Sequence, residues 1–141
     1  MNAYALIYPM AAMVLLTFIV LCRMFLSRVD AVKRGEVDAR YYKTYQGDNT
    51  EPRAVAQNSR HFKNLLEAPV LFYAACLAAI MTGQGVGPIL WLAWIYVAVR
   101  VVHTVIHLGS NRIPPRVAAY ATSWIVLVAM WGVLVAGVAT G

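Results

Sequence analysis

Charged residues are scarce in this sequence, and acidic residues are the scarcest. Only 13% of the 141 residues are charged, with six Asp and Glu against twelve Lys and Arg. Soluble domains carry about 25% charged residues, so the chain has about half the usual share. Because 61% of the residues are hydrophobic, the composition excludes an ordinary soluble domain. It indicates a single membrane domain that covers residues 1–141.

Several functional signatures are also missing. The net charge of +6 does not indicate a nucleic-acid partner, because the basic residues lie between apolar runs without interleaved aromatic residues. Cys22 and Cys76 fall inside apolar runs and form no C-x-x-C pair, so both are typical of small buried side chains. The sequence shows no carboxylate pair for acid–base catalysis and no Ser-His-Asp set. His103 and His107 have the spacing of half a metal site, but a third ligand is missing, and we expect no metal.

Four apolar segments approach or reach the ~20 residues that cross a bilayer. They are Tyr4–Leu26, Phe62–Met81, Pro88–Leu108 and Val117–Val138. A span surrounded by lipid must satisfy its own backbone hydrogen bonds, so each segment is predicted to be a helix. The first run is longer than a signal-peptide core and lacks a preceding basic region, so we expect it to remain as a mature helix. The predicted fold class is therefore an all-α integral membrane protein, an antiparallel bundle of four transmembrane helices.

The connections between the spans predict the topology. The first and third connections hold most of the basic residues, whereas the second, Thr82–Pro88, is short, glycine-rich and uncharged. In a four-span protein the first and third connections lie on one side of the membrane. The positive-inside rule places them in the cytoplasm and both termini outside. The membrane would be a bacterial inner membrane or one of the endoplasmic-reticulum type.

Polar residues enter the apolar spans at helical spacing. Arg60, Asn64 and Glu67 stand at i, i+4 and i+7, on one face of the second helix. Glu67 is the only acid outside the span from Asp30 to Glu51, and it lies about 10 Å inside the predicted helix. An ionisable group at that depth is expected to face a protein interior and to have a partner. A purely structural ion pair between helices is the alternative to a functional site.

The third and fourth spans carry matching polar stripes. These are Arg100, His103, Thr104 and His107 on the third helix, and Arg116, Tyr120 and Ser123 on the fourth. Arg100 is expected at a depth similar to that of Glu67 on an antiparallel neighbour, so the two residues could form an ion pair. Three polar faces that open to the cytoplasmic side predict a binding site or the lining of a path.

The chemistry of these faces favours an acidic ligand. An excess of arginine with a single acid suits a molecule with two carboxylates and an ammonium group, because guanidinium groups bind carboxylates bidentately. Glutathione has this charge pattern and adds a thiol, whose thiolate form a nearby arginine would favour. The residue pattern alone leaves other acidic solutes open.

Two blocks of the sequence resemble a known family. Arg60-xxx-Asn64-xx-Glu67-x-Pro69 is similar to the glutathione-site signature of the MAPEG family, the membrane-associated proteins of eicosanoid and glutathione metabolism. The segment from Arg100 to Tyr120 resembles the corresponding segment of the prostaglandin E synthases in that family. The resemblance implies a homotrimer that binds glutathione between neighbouring subunits near the cytoplasmic face.

The resemblance also implies roles for individual residues. Arg116 would be the catalytic residue that stabilises the glutathione thiolate, and Arg28 would reach the peptide from the adjacent subunit. The remaining residues implied to contact glutathione or to support it are Arg60, Lys63, Asn64, Glu67, Arg100, His103, His107 and Tyr120.

Three departures from the family pattern narrow the expected reaction. His107 stands where close relatives have a tyrosine, Val117 replaces a serine after the key arginine, and Ala68 replaces the tyrosine of leukotriene synthases. These changes argue against prostaglandin isomerisation and leukotriene synthesis. They favour a glutathione transferase or peroxidase that acts on lipophilic electrophiles from the membrane lipid.

Two other functions remain open at this stage. The chain could be a non-catalytic lipid-binding or scaffold protein, since the resembled family includes such a member, although the presence of Arg116 and of the Arg60–Glu67 set argues against it. A small transporter or channel would be expected to have paired helices broken by glycine or proline, and no span has such a break. The identity of the hydrophobic substrate has no signature in the sequence.

Overall fold

Long helices make up most of the computed structural model, which describes residues 3–45 and 50–140. A 3-10 turn at Ala3–Leu6 leads into α1, and the helices are α1 (Ile7–Lys33), α2 (Tyr41–Thr44), α3 (Arg53–Met81), α4 (Pro88–Leu108) and α5 (Ile113–Thr140). The part of the chain that the structure describes contains no strand. By length and composition, α1, α3, α4 and α5 are each able to cross a membrane. The predicted all-α class with four spans is confirmed.

Glycine and proline mark the ends of the second pair of long helices. Gly87 has a φ of 73°, which favours glycine, and Pro88 follows it as the first residue of α4, where a missing N–H breaks no helical hydrogen bond. Pro114 and Pro115 occupy the first turn of α5 in the same way. The bounds of α4 therefore coincide with the predicted third span.

The first two long helices extend beyond the predicted spans. Helix α1 continues past Leu26 to Lys33, and α3 begins at Arg53 instead of Phe62. Hydropathy identifies only the part of a helix that lies in lipid, whereas polar residues continue the same helix outside it. Both extensions bring charged side chains to the same end of the bundle.

The helices pack in two main pairs, α1 with α3 and α4 with α5, and α3 also contacts α4 and α5. In the core the Phe72 and Tyr96 rings stack with centroids 4.6 Å apart. The outward faces are apolar, with Val14, Phe18 and Ile125 among the exposed side chains. An apolar exterior around a packed interior suits a bundle surrounded by lipid.

The two ends of the bundle differ in charge. One end gathers the C-termini of α1 and α4 and the N-termini of α3 and α5, and we call it the charged end. At the opposite end, Gln84 donates from Nε2 to the Leu134 carbonyl of α5 at 3.3 Å. Gly137 allows this approach, because a Cβ atom there would lie 1.9 Å from the Gln84 side chain. Gln84 thus joins the second connection to α5 at this end, whereas the cavities lined by several charged residues lie at the charged end.

Candidate functional site

Arg100 is the most deeply buried charged side chain in the site. It is 0% exposed, and its Nη2 donates to the Asn64 Oδ1 at 2.8 Å and to the Asn64 carbonyl at 3.2 Å. Its Nε and Nη1 are buried without a hydrogen-bond partner among the described residues. Arg100 therefore joins α4 to α3 and still has unused donors, which an anion or a polar ligand would satisfy.

The expected pair between Arg100 and Glu67 is not formed, so that prediction was wrong. Glu67 is exposed and makes no ion pair with the described residues. The face of α3 that packs into the bundle passes through His61, Leu65 and Ala68. Each residue turns a helix by about 100°, so Glu67, next to Ala68, points away from α4.

Three histidine rings lie together between α3 and α4. The His61 ring centroid is 4.6 Å from that of His107 and 5.3 Å from that of His103, and the latter two are 5.7 Å apart. All three residues are buried. The described residues nevertheless contain no group of three His, Cys, Asp or Glu arranged to hold a metal ion. The Tyr120 ring of α5 lies 5.8 Å from His103 and extends this imidazole cluster towards α5.

Hydrogen bonding assigns the tautomer of His61. Thr104 donates its only hydroxyl hydrogen to the Arg100 carbonyl at 2.8 Å. Its oxygen must therefore accept from His61 Nε2, which lies 2.9 Å away. The Nδ1 atoms of His61, His103 and His107 are buried without a hydrogen-bond partner within residues 3–45 and 50–140. The cluster thus adds unused polar atoms to those of Arg100.

A cavity of about 600 Å³, which we call the α5 cavity, opens beside this cluster at the charged end. Its lining includes Arg60 from α3, His107 from α4 and Arg116 from α5. Arg116 donates from Nη1 to the Asn111 Oδ1 at 2.7 Å, and Gln57 donates to the His107 carbonyl. These two bonds hold Arg116 and the end of α4 at the cavity wall. The cavity therefore places an oriented guanidinium group close to an imidazole.

A second cavity of about 470 Å³, which we call the α1 cavity, lies between α1, α3 and the connection that joins them. Arg28, Arg60 and Lys63 line it together with Glu51. Arg28 Nε lies 3.4 Å from Glu51 Oε1, and its Nη2 donates to Ser59 Oγ at 2.9 Å. Arg28 is thus engaged within its own chain as well as facing the cavity.

Aromatic rings cover the outer side of Arg28. Its guanidinium carbon lies 5.1 Å from the Tyr42 ring centroid and 5.7 Å from that of Tyr45, distances that allow cation–π attraction. Burial and, second, the nearby Glu51 carboxylate raise the pKa of Tyr42. The Tyr42 phenol therefore stays neutral near pH 7 and adds no negative charge beside Arg28.

The structure brings most of the predicted site residues to the charged end. The α1 cavity is lined by Arg28, Arg60 and Lys63, and the α5 cavity by Arg60, His107 and Arg116. Beside these cavities and deeper in the bundle lie Asn64, Arg100, His103 and Tyr120. Glu67 is the exception, since it lies on an exposed face of α3.

Four residues of this region were missed by the sequence analysis. They are Glu51, Gln57, His61 and Asn111. His61 was detectable in principle, because it lies three residues before Asn64 on α3, within the motif already identified. Glu51 belongs to the connection after α2, where no helical spacing relates it to Arg28.

Comparison with known proteins identifies a family for nearly the whole chain. The model of the MAPEG family matches residues 6–136, nearly the whole chain. No curated protein and no solved structure matches it.

Proposed function

The chain belongs to the MAPEG family, and from that premise we propose that it is a glutathione-dependent membrane transferase or peroxidase. Its second substrate would be a lipophilic electrophile dissolved in the bilayer. The observation that carries the proposal is the α5 cavity, which Arg60, His107 and Arg116 line together at the charged end. Cations at the end of an apolar bundle suit an acidic, water-soluble peptide that must meet a substrate from lipid.

Arg116 is the residue that we assign to the thiol. Its hydrogen bond to Asn111 fixes the guanidinium at the first turn of α5, so little reorganisation is needed when negative charge develops on sulfur. The thiol loses its proton to water, and the thiolate attacks the electrophilic carbon. With an aryl chloride, a carbon–sulfur bond forms and chloride leaves with the bonding electron pair.

Glutathione binding would use the cations of both cavities. Arg28 and Lys63 in the α1 cavity and Arg60 between the two cavities are suited to the peptide carboxylates. Behind them, the unused donors of Arg100 offer further hydrogen bonds to a ligand that reaches into the bundle.

The exposed charges of α3 support assembly with further copies of the chain, for which the family resemblance implies a homotrimer. Arg60, Lys63 and Glu67 lie on an exposed face of a helix that is able to cross a membrane. Charged groups that face lipid are costly, so a neighbouring subunit that covers this face would remove the cost. In this arrangement Glu67 and the peptide meet at the subunit interface. By the positive-inside rule, the proposal has the charged end, with its basic connections, facing the cytoplasm.

A second candidate function is lipid binding without turnover. It is favoured by an apolar groove of about 580 Å³ beside α1, lined by Phe25, Val29 and Val32 with Arg28 and Lys33 at its side. A lipid with an anionic headgroup would suit this combination of apolar and basic surfaces.

One experiment separates the two functions. Protein purified in detergent is titrated with glutathione by calorimetry and then assayed for conjugation of chlorodinitrobenzene. The proposed enzyme binds glutathione and forms the conjugate. Absence of glutathione binding would contradict the proposal, whereas glutathione binding without turnover on a panel of electrophiles would favour the lipid-binding function.

A further inference from the structure

Glu51 lies in the wall that separates the α1 cavity from the α5 cavity. The two cavities share Glu51, Ala56 and Arg60 as lining residues. Among the described residues that line either cavity, Glu51 is the only acid, and the cations Arg28 and Arg116 lie on its two sides. A single carboxylate is thus available to a ligand in either cavity.

The Glu51 carboxylate has unused hydrogen-bonding capacity. Its side chain is only 12% exposed. The contact from Arg28 Nε to Oε1, at 3.4 Å, is an ion pair without hydrogen-bond geometry, and Oε1 has no hydrogen-bond partner among the described residues. A buried carboxylate oxygen usually accepts hydrogen bonds from more than one donor. Because Glu51 lines both cavities, a cationic donor bound in either one can approach its carboxylate.

Arg60 makes the wall complementary to an amino-acid group. An α-amino acid carries an ammonium and a carboxylate on one carbon. Glu51 and Arg60, one acid and one cation, line the same two cavities. The glutamyl end of glutathione has this group, with its amino nitrogen free. We infer that Glu51 binds the α-ammonium group of the peptide and, together with Arg60, selects ligands whose amino terminus is unblocked. The inference rests on the proposed function, because it takes glutathione as the ligand.

A purely structural role for Glu51 predicts different behaviour. In that case its carboxylate only anchors the connection after α2 to Arg28 on α1. Loss of the anchor would weaken all ligands of the cavities to the same extent, whether or not they carry an ammonium group. The ratio of two affinities therefore distinguishes recognition from anchoring.

The test compares glutathione with N-acetylglutathione, in which the amino group is blocked, by calorimetry on the detergent-purified protein. The parent protein should bind the acetylated peptide at least about tenfold more weakly, the scale expected for loss of a charge-assisted hydrogen bond. Glu51→Gln should bind glutathione about tenfold more weakly than the parent, with little change for the acetylated peptide. The variant would then no longer distinguish glutathione from the acetylated peptide.

Two further variants make the comparison specific. Glu36→Gln removes the same charge from an acid that pairs with Arg34 at 3.2 Å and lines neither cavity, so it should keep the discrimination. Arg28→Met removes the anchor and retains the Glu51 carboxylate. Its affinities for both peptides should therefore fall, while the ratio of the two affinities should stay the same. If Glu51→Gln does not fold, the affinities of the parent protein for the two peptides still test the inference, because equal values overturn it.

The possible results are distinct. Equal affinities of the parent protein for the two peptides would overturn the inference and leave the proposed function standing. Equal weakening of the binding of both peptides in Glu51→Gln would also overturn it in favour of anchoring. Binding of neither peptide by the parent protein would contradict the proposed function itself.

Discussion

Arg100 of α4 is bound by Asn64 of α3, a neutral partner, through contacts of 2.8 Å to the amide oxygen and 3.2 Å to the backbone carbonyl. An acidic partner would have neutralised the guanidinium, whereas the amide leaves its full positive charge in the bundle. Nε and Nη1 remain without partners among the described residues. This part of the bundle therefore keeps an attraction for anions that a buried ion pair would have removed.

The first prediction concerns the contribution of Asn64 to stability. Asn64→Leu removes the side-chain acceptor of a fully buried cation, and we expect a loss of about 1.5–3 kcal/mol, as for hydrogen bonds to charged groups. Cys76 is 0% exposed, so its labelling by a thiol-reactive dye during heating reports unfolding. The measurement uses a Cys22→Ser background. An unchanged melting temperature would show that the Asn64 carbonyl alone is sufficient.

The second prediction concerns Glu67, which lies on an exposed face of α3. We expect Glu67→Gln to weaken glutathione binding without the unfolding caused by Asn64→Leu, because Glu67 is exposed and does not pair with Arg100. Calorimetry gives the affinity and Cys76 labelling gives the stability. Destabilisation as large as that of Asn64→Leu would indicate that Glu67 has a structural partner in a neighbouring subunit.

The sequence predicted the helices better than their ends. Helix α4 coincides with its predicted span because Gly87 and Pro88 mark one end and Gly109 follows the other. Helices α1 and α3 extend further because hydropathy detects only apolar stretches, whereas the ends of these helices at Lys33 and Arg53 are charged. The short helix α2, Tyr41–Thr44, has too few residues for any helical periodicity and was not predicted.

The sequence did not predict how α3 is rotated against α4. Counting residues predicted similar depths for Arg100 and Glu67, but it does not give the rotation of one helix against another. Neighbouring residues of a helix differ in direction by about 100°, so one can face the bundle while the next faces outward. Helical spacing correctly grouped His103 with His107. It gave no information on His61, which joins them from α3, or on Glu51, which reaches Arg28 through a connection.

The third prediction concerns the orientation in the membrane. Lys43 and Arg112 are exposed at the charged end, and Thr82 is exposed at the other end. The protein is produced in the inner membrane of bacterial cells in a Cys22→Ser background. Lys43→Cys and Arg112→Cys should react with a membrane-impermeant maleimide only after the membrane is opened, whereas Thr82→Cys should react in intact cells. The physical reason is the retention of basic connections in the cytoplasm. Labelling in the reverse pattern would contradict the predicted topology.

The fourth prediction concerns Arg116, whose guanidinium lines the α5 cavity and is held by Asn111. Arg116→Ala should leave the protein folded, because the side chain is at the end of α5 and only partly buried. The ultraviolet absorbance of the glutathione thiolate near neutral pH should fall. Conjugation of chlorodinitrobenzene should slow by about 10²-fold or more, the scale for loss of one preorganised electrostatic group.

Arg112 and Asn111 provide the controls for this prediction. Arg112 is exposed and lines neither cavity, so Arg112→Ala removes the same charge from the same connection and should retain the thiolate signal and the rate. Asn111→Ala keeps the guanidinium but removes its hydrogen bond, so it should reduce the rate less than Arg116→Ala does.

Loss of a residue that acts mainly on the charged form of the thiol should lower kcat while glutathione still binds. Unchanged thiolate absorbance in Arg116→Ala would mean that another cation stabilises the sulfur, and Lys63 would be the next to test.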